Sequence, residues 1–199
     1  IILIMEEILN KNLFFKRSIS MNCSYLKNKI EKRLYINLDN SNNSNYLVSD
    51  LTKNGFRRSF DHMYVPICDN CSACISTRID INKFKLSKSN KRVIKKNSDL
   101  ILLEKKKSEE QRFKLFKRYC NTRHNESPMK NMSKSDFLKF FYYSKNKTKI
   151  YDLIDKKEKL YGSILLDLLD DGYSAVYSFF EPDTVNRSLG KYLILSIIN

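Results

Sequence analysis

The sequence predicts an α+β protein in which a cysteine-rich N-terminal module precedes an antiparallel meander packed with helices. Three observations carry that expectation. Cys68, Cys71 and Cys74 crowd into the heptapeptide CDNCSAC. Ser87 and Ser108 stand where N-caps belong, ahead of segments with helical spacing. In the C-terminal third, KIYDLID, LYGSILLDLL and YSAVYSFF are strand-like runs joined by charged or Gly-containing turns such as Asp170-Asp171-Gly172.

In chain order, the opening IILIMEEILNKNLFFKRSIS breaks its apolar stretch at Glu6 and Glu7, with no basic segment before it, so it does not read as a secretory signal. Because the chain starts at Ile1, Met5 or Met21 is expected to be the initiator, and residues 1–20 an N-terminal extension without assigned function. Residues 40–45, NSNNSN, predict a surface loop. Tyr46 to Asn54 predicts a short helix ended by Gly55, a residue suited to the left-handed conformation. Short strands are expected around Phe56 to Val65 and Ile75 to Ile81, with the cysteines between them. Ser87 caps a basic helix through Lys96, and Leu100 to Glu104 reads as a strand. Ser108 and Gln111 have capping-box spacing, and Phe113, Phe116 and Cys120 then recur on one face, giving a helix to about Asn121. A further helix runs from Ser135 to Tyr143. After the meander come the loop EPDTVN and an apolar helix from Leu189 to Ile198.

With 199 residues, 42% of them hydrophobic, the chain has room for one substantial core or for a small module beside a larger domain. Lys and Arg outnumber Asp and Glu by 37 to 22, a net charge of +15 that favours a polyanionic partner. Ala73 and Ala175 are the only alanines while Asn and Lys abound, so AT-rich coding bias competes as the source of that charge. No apolar run approaches the roughly 18 residues a spanning helix needs. The expected setting is therefore cytoplasmic, with no membrane, and cytosolic cysteines stay reduced.

CDNCSAC contains two overlapping CxxC units, a spacing that lets thiolates converge on one metal. Cys23 is the candidate fourth ligand beside Cys68, Cys71 and Cys74. Zinc and an iron-sulfur cluster suit four thiolates equally, and close packing without metal is the competing reading. Cys120 reads as a buried thiol.

Gly55 to Asn97 reads GFRRSFDHMYVPICDNCSACISTRIDINKFKLSKSNKRVIKKN. It resembles the bacterial aspartate/glutamate leucyltransferases, relatives of the arginyltransferases of the N-degron pathway. Their GFRRS segment corresponds to Gly55 to Ser59, their Y-x-P-x-C-x-x-C-x-A-C module to Tyr64 to Cys74, the arginine of the following strand to Arg78, and the basic helix to Ser87 to Arg92. CSYL at Cys23, RYCNTRH at Arg118 to His124 and DGYSAVYSFFEPDTVNRSLGKY at Asp171 to Tyr192 match in the same order. The first twenty residues match nothing in the family, and Lys88 and Lys91 replace its usual Arg or Gln. The chain also stops at Asn199, inside a helix beyond which the family continues, so it reads as truncated and its own activity is in doubt.

The resemblance implies a transferase module over residues 21–98 and a GNAT-like C-terminal domain over 99–199. It implies attack by the α-amine of an acceptor protein's N-terminal Asp or Glu on the ester of an aminoacyl-tRNA, with leucine or arginine as donor. The ester is already activated, so the chemistry requires no cofactor. Arg187, Ser188, Leu189, Gly190 and Lys191 occupy the turn that opens the helix after the fourth strand in GNAT folds, where backbone N–H groups face an anionic group. Tyr192 replaces its second small residue.

An acidic acceptor calls for cations, and Arg binds a carboxylate through a planar fork. Arg57, Arg58 and Arg78 lie beside the cysteine module, with Tyr25 and Tyr64 as pocket walls; Arg78, inside ISTRIDI, is the preferred carboxylate partner. Lys88, Lys91, Arg92 and Lys95 share a helix face that would meet tRNA phosphates, with a merely solvated face as the alternative. His124 is the expected proton relay, with Tyr177 as a second catalytic candidate, while His62 reads as a turn residue. Two other functions remain open: a cysteine-clustered nucleic-acid-binding module without catalysis, and a small-molecule GNAT acetyltransferase.

Overall fold

The computed structural model describes residues 13–38, 44–124 and 128–198. Most of the loop expected at 40–45 lies outside them, as does the apolar opening through residue 12; Ser44 and Asn45 are already helical. The chain forms two compact units, one ending at Ser76 and one beginning at Thr77. That division precedes the boundary expected after residue 98 and places the basic helix in the second unit.

In the first unit, β1 (Lys16–Arg17), β4 (Arg33–Asn37), β6 (His62–Pro66) and β5 (Arg57–Ser59) form an antiparallel sheet in that order. A separate ribbon pairs β2 (Met21–Asn22) with β3 (Ile30–Glu31). Residues 16–17 of the expected extension thus belong to the sheet. Ile36 and Met63 oppose each other in the ladder and are buried, as are Val48 and Leu51 of α1 (Ser44–Lys53). Gly55, at φ +86°, ends α1. Its N–H donates to Thr52 and that of Phe56 to Leu51, the paired bonds that satisfy a helix's last carbonyls.

The strand expected over Ile75 to Ile81 does not form. Its β-branched residues have no ladder partner among the described residues, and Ile75, Ile79 and Ile81 are exposed. β-propensity expresses a fit to a half-buried pleated surface, and this segment has no such surface to join.

The second unit is built on β7 (Leu100–Glu104), β8 (Thr148–Asp155), β9 (Leu160–Leu169) and β10 (Gly172–Phe180), antiparallel and adjacent in chain order. On one face Leu153, Ile164 and Leu166 pack with Leu189, Tyr192 and Leu193 of α5 (Leu189–Ile198), and with Val93 and Ile94 of α2 (Lys88–Lys96). On the other, Phe179 meets Phe116 of α3 (Glu109–Arg123) and Phe137 and Phe141 of α4 (Lys134–Tyr142). The caps expected from sequence form: Ser87 Oγ accepts from the N–H of Asn90, and Ser108 with Gln111 closes a reciprocal capping box.

Buried Arg112 joins α3 to the sheet. Its Nε and Nη2 donate to the two carboxylate oxygens of Asp152 at 2.8 and 2.6 Å, and its Nη1 donates to the Tyr142 hydroxyl at 2.7 Å. Ser163 and the backbone N–H of Lys107 also donate to Asp152. No helix of the described residues is long and apolar enough to cross a membrane.

Candidate functional site

Within the second unit, three segments meet at the end of β10. The Phe180 ring lies 4.8 Å, centroid to centroid, from that of Tyr119 near the C-terminus of α3. Phe180 also faces the first turn of α5, where a Cβ on Gly190 would stand 2.7 Å from its Cε1. Gly190 is therefore what lets α5 begin against the ring. The next residue, Glu181, is 4% exposed. Its N–H donates to Tyr161, its carbonyl accepts from Thr184 Oγ1, and its Oε2 accepts from Arg118 Nη2 at 2.6 Å. Its Oε1 is buried with no partner among the described residues.

His124, expected as the proton relay, caps the end of α3 and is exposed. Its Nε2 lies 3.3 Å from the Tyr119 hydroxyl, whose pKa burial raises. The structure thus gives His124 a phenol partner, a link invisible in RYCNTRH. Tyr177 stands elsewhere, among Phe116, Phe140 and Phe141, with its hydroxyl 3.9 Å from Cys120 Sγ. Its surroundings are those of a packing residue. Cys120 is fully buried, as expected, and burial raises its thiol pKa.

Arg187 is committed to the fold. Its Nε donates to Asn97 Oδ1 at 2.9 Å, its Nη2 is paired with Asp99, and its carbonyl accepts from Asn97 Nδ2. That pairing holds the Asp99 carboxyl below its ordinary pKa. Ser188 takes the left-handed conformation at φ 53°, and its carbonyl receives the Tyr192 N–H, starting α5. The amides of Leu189, Gly190 and Lys191 are left as the helix's first-turn donors. Tyr192 belongs to the core, donating its hydroxyl to the Leu100 carbonyl, which accounts for a large residue at that position.

Arg78 is 65% exposed and ion-pairs with Asp171 at 2.5 Å, so it is not the arginine of an apolar-flanked strand. Lys88, Lys91, Arg92 and Lys95 are exposed on α2, opposite the Val93 and Ile94 that pack inward. Lys191 reaches the same helix at Ser89.

In the first unit, a cavity of about 240 Å³ is lined by Ser18, Met21, Arg33, Tyr35, His62 and Tyr64. Of these, only Tyr64 was expected at a site. The Arg33 guanidinium sits over the Tyr64 ring, 4.4 Å from its centroid, and its Nε donates to the buried Glu31. His62 is a strand residue, not a turn residue; burial, reinforced by Arg33 and opposed by Asp61, lowers its pKa. Arg57 pairs across the ladder with Tyr64 and is partly exposed. Arg58 is 7% exposed, with Nη1 donating to the Phe60 carbonyl, and so faces away from solvent ligands. Tyr25 is exposed.

The cysteines are all free, Cys74 is exposed, and Cys68 directs its thiol to the Lys32 carbonyl at 3.8 Å. Among the described residues no three His, Cys, Asp or Glu side chains are grouped to hold a metal ion. Cys23, Cys68, Cys71 and Cys74 as placed do not fit a zinc or iron-sulfur ligand set.

Two family models match the sequence: "Arginine-tRNA-protein transferase, N terminus" over residues 21–92 and "Arginine-tRNA-protein transferase, C terminus" over residues 111–199. Among curated proteins, the aspartate/glutamate leucyltransferase of Granulibacter bethesdensis is 33% identical over 93% of this chain and 69% of its own length. The protein of that name from Teredinibacter turnerae is 36% identical over 87% of this chain and 71% of its own. That from Pseudomonas savastanoi pv. phaseolicola is 39% identical over 87% and 73%.

Proposed function

The chain belongs to the arginine-tRNA-protein transferase family, with the aspartate/glutamate leucyltransferases among its relatives, and from that premise we propose that it moves leucine or arginine from charged tRNA to an N-terminal Asp or Glu in the cytoplasm. The product then carries the N-terminal residue that marks it for N-degron degradation. The acceptor's α-amine attacks the ester carbonyl, an amide bond forms, and the bond to the tRNA 3′ oxygen breaks. The amine gives up a proton and the departing tRNA hydroxyl takes one, so atoms balance without cofactor or covalent enzyme intermediate.

The observation that carries this reading is the meeting of the RYCNTRH, FFEP and RSLG segments at Phe180. A sheet whose strands run in chain order, with α5 the next α-helix after its last strand, supports a GNAT-like second domain. The α5 amides serve the developing oxyanion, because pre-aimed donors there need no reorganisation. His124 relays the amine proton through an imidazole open to solvent and tied to Tyr119. An α-amine has a reference pKa of about 7.7 to 8.0, so a weak base suffices. The α2 cations hold the tRNA backbone, while Arg187 and Asn97 fix the turn that presents the amides. Arg78, paired with Asp171, and Arg57 are cations open to an approaching acceptor chain.

The test is transfer of radiolabelled leucine or arginine from charged tRNA to peptides beginning with Asp, Glu or Ala. Label on the acidic peptides alone is the expected result; label on none of them overturns the proposal.

A further inference from the structure

Arg33 is arranged for recognition. Its Nε is taken by Glu31, which fixes the plane of the guanidinium, and the Tyr64 ring supports one face. Nη1 and Nη2 have no hydrogen-bond partner among the described residues, and the side chain is 27% exposed. A guanidinium held through Nε keeps its two terminal nitrogens as a fork for one carboxylate. Glu31 is 4% exposed and its Oε2 has no partner among the described residues, a desolvation cost consistent with a role in orienting Arg33.

The cavity that Arg33 lines suits a ligand of residue size. At about 240 Å³ it falls below the roughly 300 to 1,000 Å³ of sites for drug-sized molecules. Tyr35, Tyr64, His62 and Met21 give it aromatic and thioether walls, and Arg33 is its one full cation. A nucleotide would need more room.

We propose that the cavity of Ser18, Met21, Arg33, Tyr35, His62 and Tyr64 receives the acidic side chain of the acceptor's N-terminal residue, with Arg33 as its bidentate partner and Glu31 as the residue that positions Arg33. This rests on the transferase reading and assigns its acceptor specificity to the first unit's own sheet. Asp and Glu enter because their carboxylates complete the fork; Asn and Gln, nearly identical in shape, do not.

The test uses the full chain and fluorescent peptides that begin with Asp, Glu, Asn or Gln, with binding read by anisotropy. Unmodified protein is expected to prefer the acidic peptides. Arg33→Gln should weaken them roughly 10- to 100-fold, the loss of one charge-assisted interaction, with tRNA binding unchanged, and Arg33→Lys should restore only part of that loss. An Arg33→Gln chain that melts normally yet binds Asp peptides as before overturns the assignment, as does one that loses a CCA-ending RNA instead. If Arg33→Gln does not fold, an Asp peptide carrying a diazirine at its second residue serves in the unmodified chain. Crosslinks to Met21, Tyr35 or Tyr64 support the site, and crosslinks confined to other positions sink it. The leucine and arginine transfer assay is independent of these readings. Label transferred to acidic peptides with no effect of Arg33→Gln removes this site and leaves the transferase; no label on any peptide removes the transferase.

Discussion

Asp152 has no exposed surface and accepts four hydrogen bonds, from Arg112 Nε and Nη2, Ser163 Oγ and the Lys107 amide. Arg112→Met should leave that carboxylate buried and uncompensated, costing about 3 to 5 kcal/mol in urea denaturation. The double change Arg112→Met with Asp152→Leu should recover most of it, because removing both charges removes the desolvation problem. His62 gives a pH-dependent counterpart. Its folded pKa lies below the ordinary value of about 6.5, so the unfolded chain binds the proton more readily. Its contribution is complete above that value and is lost as pH falls toward the folded pKa. His62→Gln should flatten stability measured between about pH 7 and pH 5, and an unchanged slope would remove His62 as its cause. Arg33 and His62 were not legible as a site, because they become neighbours only through the pairing of β4 with β6; Glu31 is two residues from Arg33, and it is its burial that the sequence does not show. Glu181 was hidden for a similar reason: its burial and its bond to Arg118 join segments distant in the chain.

Helices and the meander were far more legible. Ser87 and Ser108 announce α2 and α3 by local chemistry, and Gly55 ends α1 by a backbone preference, so none of these depends on a remote partner. β1 and β2 offer two residues each, too few to show alternation, and their partners, β4 and β3, lie further along the chain. Ile75 to Ile81 shows the reverse error, a strand-like composition with nothing to pair with. At this scale α2 decides between a phosphate anchor and coding bias. Replacing Lys88 and Lys91 with Gln should weaken every tRNA alike and lower the salt slope by roughly 1.4 to 1.8 if each holds one phosphate. An unchanged slope makes the face merely solvated. Gly190→Ala tests the α5 turn: its methyl would press on the Phe180 ring, and overpacking of this kind costs about 1 to 3 kcal/mol. Denaturation reads the cost, and transfer should fall further than stability alone explains if the turn presents the oxyanion donors.

The division after Ser76 bears on how the whole chain folds. The second unit draws the cluster of Leu100, Leu153, Ile164, Leu166, Leu189, Tyr192 and Leu193 entirely from its own residues. The Arg112 to Asp152 network and the clustered phenylalanines on the other face are equally self-contained. The stretch that opens this unit has no regular structure through Ser87 apart from turns, and it exposes Ile79 and Ile81. Exposed, irregular backbone is where proteases cut first. Brief trypsin treatment should therefore cleave between residues 77 and 88, at positions such as Lys83 or Lys85. The released C-terminal piece should unfold in urea in one cooperative transition, because its buried groups retain their partners. Arg112→Met should destabilise that piece by the same amount as the intact chain, since additivity holds where no partner is shared. A piece that melts gradually, or for which Arg112→Met costs nothing, would show that the second unit depends on the first for its fold.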